Sequence, residues 1–290
     1  MRDYKDAKAA RSAIEDRIRQ KAEKDGSDIS TIRRKFAFDA LLERISGDGT
    51  FILKGGYAME LKNPAHTLKA RPTRDMDFVY RLKTATDNVE FSIRMTLEDL
   101  SNIKPDTWPS KYFDFEFGRA SLELDIGGYR YPVTAKMDGR KFEAFLIDVT
   151  HEDFLDKSRI EKVKTKTLNE IADVDSEATT ITSPQKFAEK VHALTKPREK
   201  GNSRVKDLID LVIIINQHDV DEQECRQALQ DIFKHRATHE IPSTISMPPF
   251  SWHGEYETMA KNCSLRETTL EMGMKTLSDF YSRVLRVSSD

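Results

Sequence analysis

Cysteine, long apolar runs and net charge are all scarce in this chain of 290 residues. The two cysteines, Cys225 and Cys263, are far apart and lack metal-ligand spacing. Their number excludes a disulfide-rich scaffold and predicts free thiols in a reducing compartment. The longest apolar run, Leu211–Ile215, is too short to cross a bilayer. Because the first residues are charged and lack the apolar segment of a signal peptide, we expect a cytoplasmic protein with no membrane partner.

The charge balance argues against nucleic-acid binding through one global basic field. The 47 basic and 49 acidic side chains leave a net charge of −2, so any such contact must come from local patches. Hydrophobic residues make up 38% and charged residues 33% of the chain, which favours a helix-rich protein with a charged surface. The length fits one large domain or two modest ones.

The most informative stretch is Phe51–Tyr80. It opens with a short apolar run that ends at Gly55-Gly56, the pattern of a buried strand that enters a tight turn. Glycine has no Cβ, so the backbone here can bend sharply and approach a ligand closely. The stretch ends with Asp75–Tyr80, a second apolar strand with two acids at its start.

The spacing of Asp75 and Asp77 places both carboxylates on one side of a strand, because strand side chains alternate between faces. In an apolar strand the two carboxylates repel each other and are costly to desolvate. A Mg²⁺ ion removes both problems, since it favours one or two carboxylates together with substrate phosphates. Alone, such a pair is more often solvated on an edge strand. The glycine turn before it favours a nucleoside triphosphate site instead.

This stretch resembles the AbiEii/AbiGii-type toxin nucleotidyltransferases, which include the MenT toxins and belong to the DNA polymerase β-like superfamily. The resemblance lies in Lys54-Gly55-Gly56 followed by Arg71-x-Thr73-x-Asp75-x-Asp77-Phe78. One departure is Gly56-Tyr57 where many relatives have Gly-Ser, which removes a hydroxyl from the phosphate turn. The resemblance covers about residues 51–211 and implies that Asp75 and Asp77 are metal ligands. The residues that it implies for nucleotide binding are Lys54, Gly55, Gly56, Arg71, Thr73 and, further along the chain, Lys190.

A third acid is expected on a neighbouring strand. Phe145–Val149 is an apolar strand that carries one carboxylate, Asp148, near its end. The pattern alone fits a surface acid equally well. In the superfamily that the chain resembles, a third acid supports the general base or a metal ion beside the Asp-x-Asp pair. The resemblance therefore implies this catalytic and metal-binding role for Asp148, with Asp125 as the second choice.

Two consecutive helices further along carry another charged pair. Ser183-Pro184 has the cap and the proline that begin a helix, and Arg204-Val205-Lys206-Asp207 begins the next one. By pattern alone, Lys190 and Asp207 on these helices are surface charges. The resemblance implies that both face the active site. There Lys190 would balance triphosphate charge, and Asp207 would orient Lys190 or contact the nucleotide.

Basic residues between 157 and 166 form a cluster whose charge suits an RNA backbone. A solvated linker or helix face explains this patch equally well. The predicted RNA contacts, from this patch and from the second helix start, are Lys162, Lys164, Arg204 and Lys206.

The element pattern predicts an α/β (α+β) fold in which a small mixed sheet carries the acids. Residues 1–46 are predicted to form a helical brace, broken into two helices at Gly26-Ser27-Asp28. Residues 47–155 are predicted to form the core, which the resemblance makes a nucleotidyltransferase core, and residues 156–290 are predicted to form a helical C-terminal lobe. Within the core, alternating strands on either side of Asp138-Gly139 predict a β-hairpin.

These features predict a metal-dependent nucleotidyltransferase that transfers NMP from an NTP. The resemblance implies a toxin of a toxin–antitoxin or phage-defence pair that uses two Mg²⁺ ions, or Mn²⁺, and has a cognate antitoxin. It also implies an RNA acceptor, foremost the tRNA 3′ end, whose modification would stop translation. Two alternatives stay open: nucleotidyl or phosphoryl transfer to a protein such as the antitoxin, and a non-catalytic nucleotide- or RNA-binding module. The intact Asp75 and Asp77 pair argues against the second alternative.

Overall fold

The computed structural model describes residues 4–47, 49–63, 73–81, 88–106, 108–123, 127–151, 155–198, 204–217 and 220–286. The chain divides into two compact units. The first unit comprises Met1–Lys62, Thr73–Leu155 and Ile160–Thr180, and the second comprises Asn63–Pro72, Asp156–Arg159 and Ile181–Asp290. The domain boundaries expected after residues 46 and 155 stay predictions.

The first unit combines helices with one mixed sheet. Its helices are α1 (Ala7–Asp25), α2 (Ile29–Ile45), α3 (Gly55–Lys62), α4 (Val89–Asn102) and α5 (Thr167–Ala172). The strands are β1 (Phe51–Lys54), β2 (Asp75–Tyr80), β3 (Phe113–Phe117), β4 (Leu122–Glu123), β5 (Gly128–Met137), β6 (Arg140–His151), β7 (Ile160–Lys164) and β8 (Glu177–Ile181). Their order in the sheet is β3-β5-β6-β2-β1-β8-β7, and β4 pairs with β5. The predicted α/β fold with a mixed sheet is confirmed.

The two N-terminal helices separate at Gly26, as predicted. Gly26 has a φ of 62°, a left-handed conformation that glycine adopts without steric cost. Asp28 then caps α2, because its carboxylate accepts a hydrogen bond from the Thr31 N–H at 2.9 Å. The buried side of α2, which includes Phe36 and Phe38, belongs to the apolar core and packs against β6.

β2 is a central strand, antiparallel to β1 on one side and parallel to β6 on the other. Its side chains alternate between the two faces of the sheet. Met76, Phe78 and Tyr80 are buried in the apolar core on one face. Asp75 and Asp77 therefore project from the opposite face, where both are half-buried.

The hairpin of β5 and β6 turns at Asp138-Gly139, as predicted. Both turn residues have positive φ values, 57° and 65°, as the favoured two-residue hairpin turn requires. The pairing does not continue in simple register. Lys136 lies opposite Lys141, but Ala135 lies opposite Glu143, so one extra residue of β6 forms a β-bulge.

β7 and β8 differ from the sequence prediction, because both lie in the segment predicted to be a polar linker and a helical lobe. β8 runs parallel to β1, and the Thr180 hydroxyl donates to the Leu53 carbonyl at 2.9 Å. β7 forms one edge of the sheet, and its sequence Ile-Glu-Lys-Val-Lys is largely charged. Charged side chains protect an edge strand from pairing with other chains, and they also explain why this segment looks like a solvated linker.

The second unit is helical. Its helices are α6 (Ser183–Thr195), α7 (Val205–Asn216), α8 (Glu222–Arg236), α9 (His253–Asn262) and α10 (Leu270–Arg286). The N-cap of α6 is Thr182 rather than Ser183, so this helix begins one residue earlier than predicted. α7 carries the longest apolar run and packs against α6, α9 and α10. Among the described residues, no helix combines the length and apolarity that a membrane crossing would need.

Candidate active site

Four charged side chains form a row across one face of the sheet. Asp77 lies opposite Lys54 on β1 and opposite Asp148 on β6. Asp148 in turn lies opposite Arg130 on β5. Directly paired residues project to the same face, and neighbouring strands are about 4.8 Å apart. The register therefore places the expected third acid next to the Asp-x-Asp pair.

Asp75 shares this face with Asp77 and is held by Thr73. The Thr73 hydroxyl donates to the Asp75 carbonyl at 3.0 Å and lies 3.3 Å from its Oδ1. Thr73 is itself buried, so these bonds fix the point at which the chain enters β2. The structure thus gives Thr73 a contact that positions an acid.

The turn between β1 and α3 depends on Gly55. Its φ of 66° lies in the left-handed region that favours glycine. A Cβ at this position would lie 1.9 Å from Oδ2 of Asp77. The absent side chain therefore leaves the space in which the Asp77 carboxylate sits.

Tyr57 points away from the acids, although it occupies the position where many relatives have serine. It is almost fully buried, and its hydroxyl donates to Oδ1 of Asp39 at 2.5 Å. Oδ2 of Asp39 accepts from the N–H groups of Thr167 and Leu168, at 2.8 and 3.1 Å, and so caps α5. Burial raises the pKa of Asp39 to about 7, against the opposing effect of the Tyr57 hydroxyl. The hydroxyl at this position thus supports the fold.

Arg130 is a site residue that sequence reasoning missed. Its Nε and Nη2 donate to Oδ1 and Oδ2 of Asp148, both at 2.6 Å, in a bidentate ion pair. This hydrogen-bonded carboxylate raises the pKa of Arg130, as do the charges of Asp75 and Asp77 more weakly. The β-bulge explains why the pair was missed. In simple hairpin register Asp148 would lie opposite Tyr129, and Arg130 would project from the other face of the sheet.

The side chain of Lys54 extends from β1 across β2 and reaches β6. Its ammonium is buried and donates to Oγ1 of Thr150 at 2.6 Å. The Thr150 hydroxyl in turn donates to the Phe78 carbonyl at 3.1 Å. These bonds direct the lysine across β2 rather than toward the glycine turn, and they place a fixed positive charge beside the acids.

A second charged cluster lies within the helical unit. The Lys190 ammonium of α6 contacts Asp207 at 2.8 Å and Asp210 at 2.7 Å, both on α7. Burial opposes the charge on Lys190, but the two adjacent carboxylates raise its pKa above the ordinary value. Arg204 also contacts Asp207, at 3.3 Å. Lys190 and Asp207 are thus in direct contact, and Asp210 joins them as a residue that the sequence analysis did not single out.

The remaining predicted site residues differ in whether other residues hold their side chains or leave them exposed. Lys162 donates to the Gly47 carbonyl at 3.0 Å and to Oγ1 of Thr179 at 2.8 Å, so its ammonium is held within the first unit. Lys164 and Lys206 are exposed. Arg71 and Asp125 lie outside the described residues. The roles expected for individual residues in nucleotide, metal and RNA binding stay predictions.

The acidic face can accept a divalent cation together with a substrate. Among the described residues, no three His, Cys, Asp or Glu side chains converge into a ready metal cage. Both oxygens of Asp148 accept hydrogen bonds from Arg130. Asp75 and Asp77 nevertheless present two carboxylates on one face, the ligand set that Mg²⁺ takes when phosphates supply its other ligands.

Comparison with known proteins gives this arrangement a family. A model of the nucleotidyl transferase AbiEii toxins of type IV toxin–antitoxin systems matches residues 37–280. The chain belongs to this AbiEii family. The resemblance drawn from the motifs around Gly55 and Asp75 is thereby confirmed. No curated protein sequence matches the chain.

Among solved structures, the AbiEii-family chain is similar to MenT4, a nucleotidyltransferase toxin from Mycobacterium tuberculosis H37Rv. The two are 14% identical, and the match covers 90% of this chain and 86% of MenT4 with a TM-score of 0.54. At this identity the likeness shows a shared fold. The α/β fold with its mixed sheet is therefore shared with that structure.

Proposed function

We propose that this AbiEii-family protein is a metal-dependent nucleotidyltransferase that transfers NMP from an NTP to an RNA acceptor. The acceptor that we favour is the 3′ end of tRNA, whose modification would inhibit translation. The observation that carries the proposal is the single row of Asp77 and Asp148, flanked by Asp75, beside the turn at Gly55. A cognate antitoxin is the protein partner that the toxin family implies.

The chain's own residues would divide the work between binding and proton transfer. Asp75 and Asp77, joined by Asp148, would hold Mg²⁺ or Mn²⁺, which neutralises charge on the triphosphate when it is bound. The backbone of Gly55 and Gly56 would approach the phosphates closely, because neither residue has a side chain. The acceptor hydroxyl oxygen would bond to the α-phosphorus as the bond to the β-phosphate breaks and pyrophosphate leaves. Asp148 would receive the hydroxyl proton on a carboxylate oxygen.

The proposal also includes residues of the helical unit, because the family resemblance implies a role for them. Lys190 would balance charge on the leaving pyrophosphate, as a lysine ammonium acts on phosphate as a point charge. Asp207 and Asp210 lie within 2.8 Å of this ammonium and would orient it. Two roles were open for Asp207, orientation of Lys190 and contact with the nucleotide. We propose the first of these, orientation of Lys190.

The test is a labelling reaction with purified protein, Mg²⁺, total tRNA and each α-labelled NTP in turn, resolved on a denaturing gel. We expect label in the tRNA band with one preferred nucleotide. Asp75→Asn should abolish this label, because it removes a charge from the metal-binding pair while keeping the side-chain shape. Asp114→Asn is the matched control, since this exposed acid of β3 forms an ion pair with the exposed Lys104.

Two results would contradict parts of this proposal. Label on a protein band, absent in Asp75→Asn, would keep the nucleotidyltransferase and replace the RNA acceptor by a protein. Equal label with wild type and Asp75→Asn would refute the assignment of the catalytic face itself.

A further inference from the structure

The catalytic face has two distinct sides, separated by β2. On the β1 side lies the turn at Gly55, where the triphosphate is proposed to bind. On the other side lie β6 and then β5. In phosphoryl transfer the attacking and leaving oxygens lie roughly in line on opposite sides of the phosphorus. A triphosphate at the glycine turn therefore requires the acceptor to enter from β6 and β5.

Arg130 is the half-buried cation of β5 on that side, next to Asp148. Its guanidinium has five N–H donors, and the pair with Asp148 uses one on Nε and one on Nη2. The side chain is 31% exposed, so its outer edge faces solvent. Among the described residues, no acceptor contacts the donors on that edge. Arginine presents such donors in a rigid fork that suits a phosphate group.

An apolar shelf lies next to Arg130 on the same face. Leu146 of β6 lies opposite Asp75 on one side and opposite Pro132 of β5 on the other. Leu146 is 37% exposed although it belongs to an interior strand, and Pro132 is exposed as well. Leu146 lies two positions before Asp148, and Pro132 lies two positions after Arg130. About 7 Å along the strands therefore separates the apolar shelf from the charged row.

We infer that Arg130, Leu146 and Pro132 form an acceptor subsite for the end of a polynucleotide. The terminal nucleoside would lie over Leu146 and Pro132, with its hydroxyl toward Asp148. The outer edge of Arg130 would bind the phosphodiester that precedes this nucleoside. The inference rests on the proposed function and deepens it, because a phosphodiester next to the reacting hydroxyl belongs to a nucleic acid and is absent from a protein acceptor.

The test measures RNA binding without NTP, so it does not depend on transfer. A fluorescent oligoribonucleotide with the sequence of the labelled tRNA 3′ end is compared with one whose last linkage is a neutral methylphosphonate. For wild type we expect the neutral linkage to weaken binding about tenfold, the loss typical of a hydrogen bond to a charged group. Arg130→Gln should bind both oligonucleotides equally, with the weaker of the two affinities.

Three controls make the comparison specific. A methylphosphonate at an internal linkage should affect wild type and Arg130→Gln alike. Arg130→Lys keeps the charge and should retain part of the discrimination, which tests the role of Arg130 even if the glutamine variant folds poorly. Leu146→Ser, at an exposed position, should weaken binding of both oligonucleotides without removing the discrimination.

The inference is overturned if wild type binds the two oligonucleotides equally, or if Arg130→Gln discriminates between them as wild type does. Label in tRNA combined with either result would leave the proposed function standing and refute only the subsite. Label on protein in the transfer reaction would refute the RNA acceptor, and with it the inference.

Discussion

Asp39 provides a pH-dependent test of how the glycine turn is supported. This buried carboxyl connects α2 with Tyr57 of α3 and with the first amides of α5. Burial raises its pKa from 3.8 to about 7. Because the pKa in the folded state is the higher one, the folded protein holds the proton more tightly than the unfolded chain between these values. The free energy of unfolding therefore decreases as the pH rises toward 7 and levels off above it.

The magnitude follows from the same values. A rise from 3.8 to about 7 corresponds to about 4 kcal/mol, since one pKa unit is worth about 1.4 kcal/mol. Asp39→Asn removes the titration but keeps an oxygen for the amides of α5 and places an amide group against the Tyr57 hydroxyl. Between about pH 5 and 7, the free energy of unfolding of the variant should therefore rise relative to that of wild type by about 1.4 kcal/mol per pH unit.

The assay is thermal unfolding of both proteins from pH 5 to pH 8.5. In a chain of this length 1 kcal/mol shifts Tm by about 2 °C, so the difference in Tm should change by about 5 °C in favour of the variant. Asp16→Asn, at an exposed acid of α1, is the matched control and should show a constant difference. A constant difference for Asp39→Asn as well would refute the assigned pKa and the reasoning from burial.

Three further predictions concern the site and its supports. Gly55→Ala should abolish transfer while the protein remains folded, because the new Cβ would displace Asp77 and the positive φ adds about 1–2 kcal/mol of strain; Gly254→Ala, with open space around it, is the control, and full activity of Gly55→Ala in the labelling assay would contradict the prediction. Tyr57→Phe should lower the free energy of unfolding by about 1–3 kcal/mol without changing KM for the NTP, because the lost hydroxyl serves Asp39; a raised KM at unchanged stability would show that it serves the nucleotide. Asp210→Asn should cost about 3 kcal/mol or more in chemical denaturation because it breaks a buried ion pair, whereas the exposed Asp231→Asn should cost little; equal effects would argue against the cluster.

Local patterns were sufficient for the elements that carry the Asp-x-Asp pair. The strand Asp75–Tyr80 could be predicted because one short segment combines apolar alternation with paired acids. The hairpin turn at Asp138-Gly139 and the helix break at Gly26 could be predicted because their backbone conformations require particular residues. In each case the signal lies within a few neighbouring residues, and the fold does not override it.

Contacts between distant segments could not be predicted in the same way. Tyr57 and Asp39 are 18 positions apart, and nothing in either neighbourhood marks them as partners. β7 was missed because an edge strand with charged side chains has the composition of a linker. Asp210 could have been found, since it lies three residues after Asp207 and therefore on the same side of a helix.

The β-bulge near Phe142 reconciles a tight turn with the pairing of the site residues at the far end of the hairpin. An odd number of residues, 131–147, separates Arg130 from Asp148, whereas a two-residue turn in simple register leaves an even number between paired positions. The extra residue in β6 makes up this difference and keeps Arg130 on the same face as the acids. Deleting Phe142 should therefore remove the bulge and leave Arg130 opposite Asp148. Among relatives, a hairpin that is one residue shorter in this arm should keep the arginine partner of the third acid without a bulge.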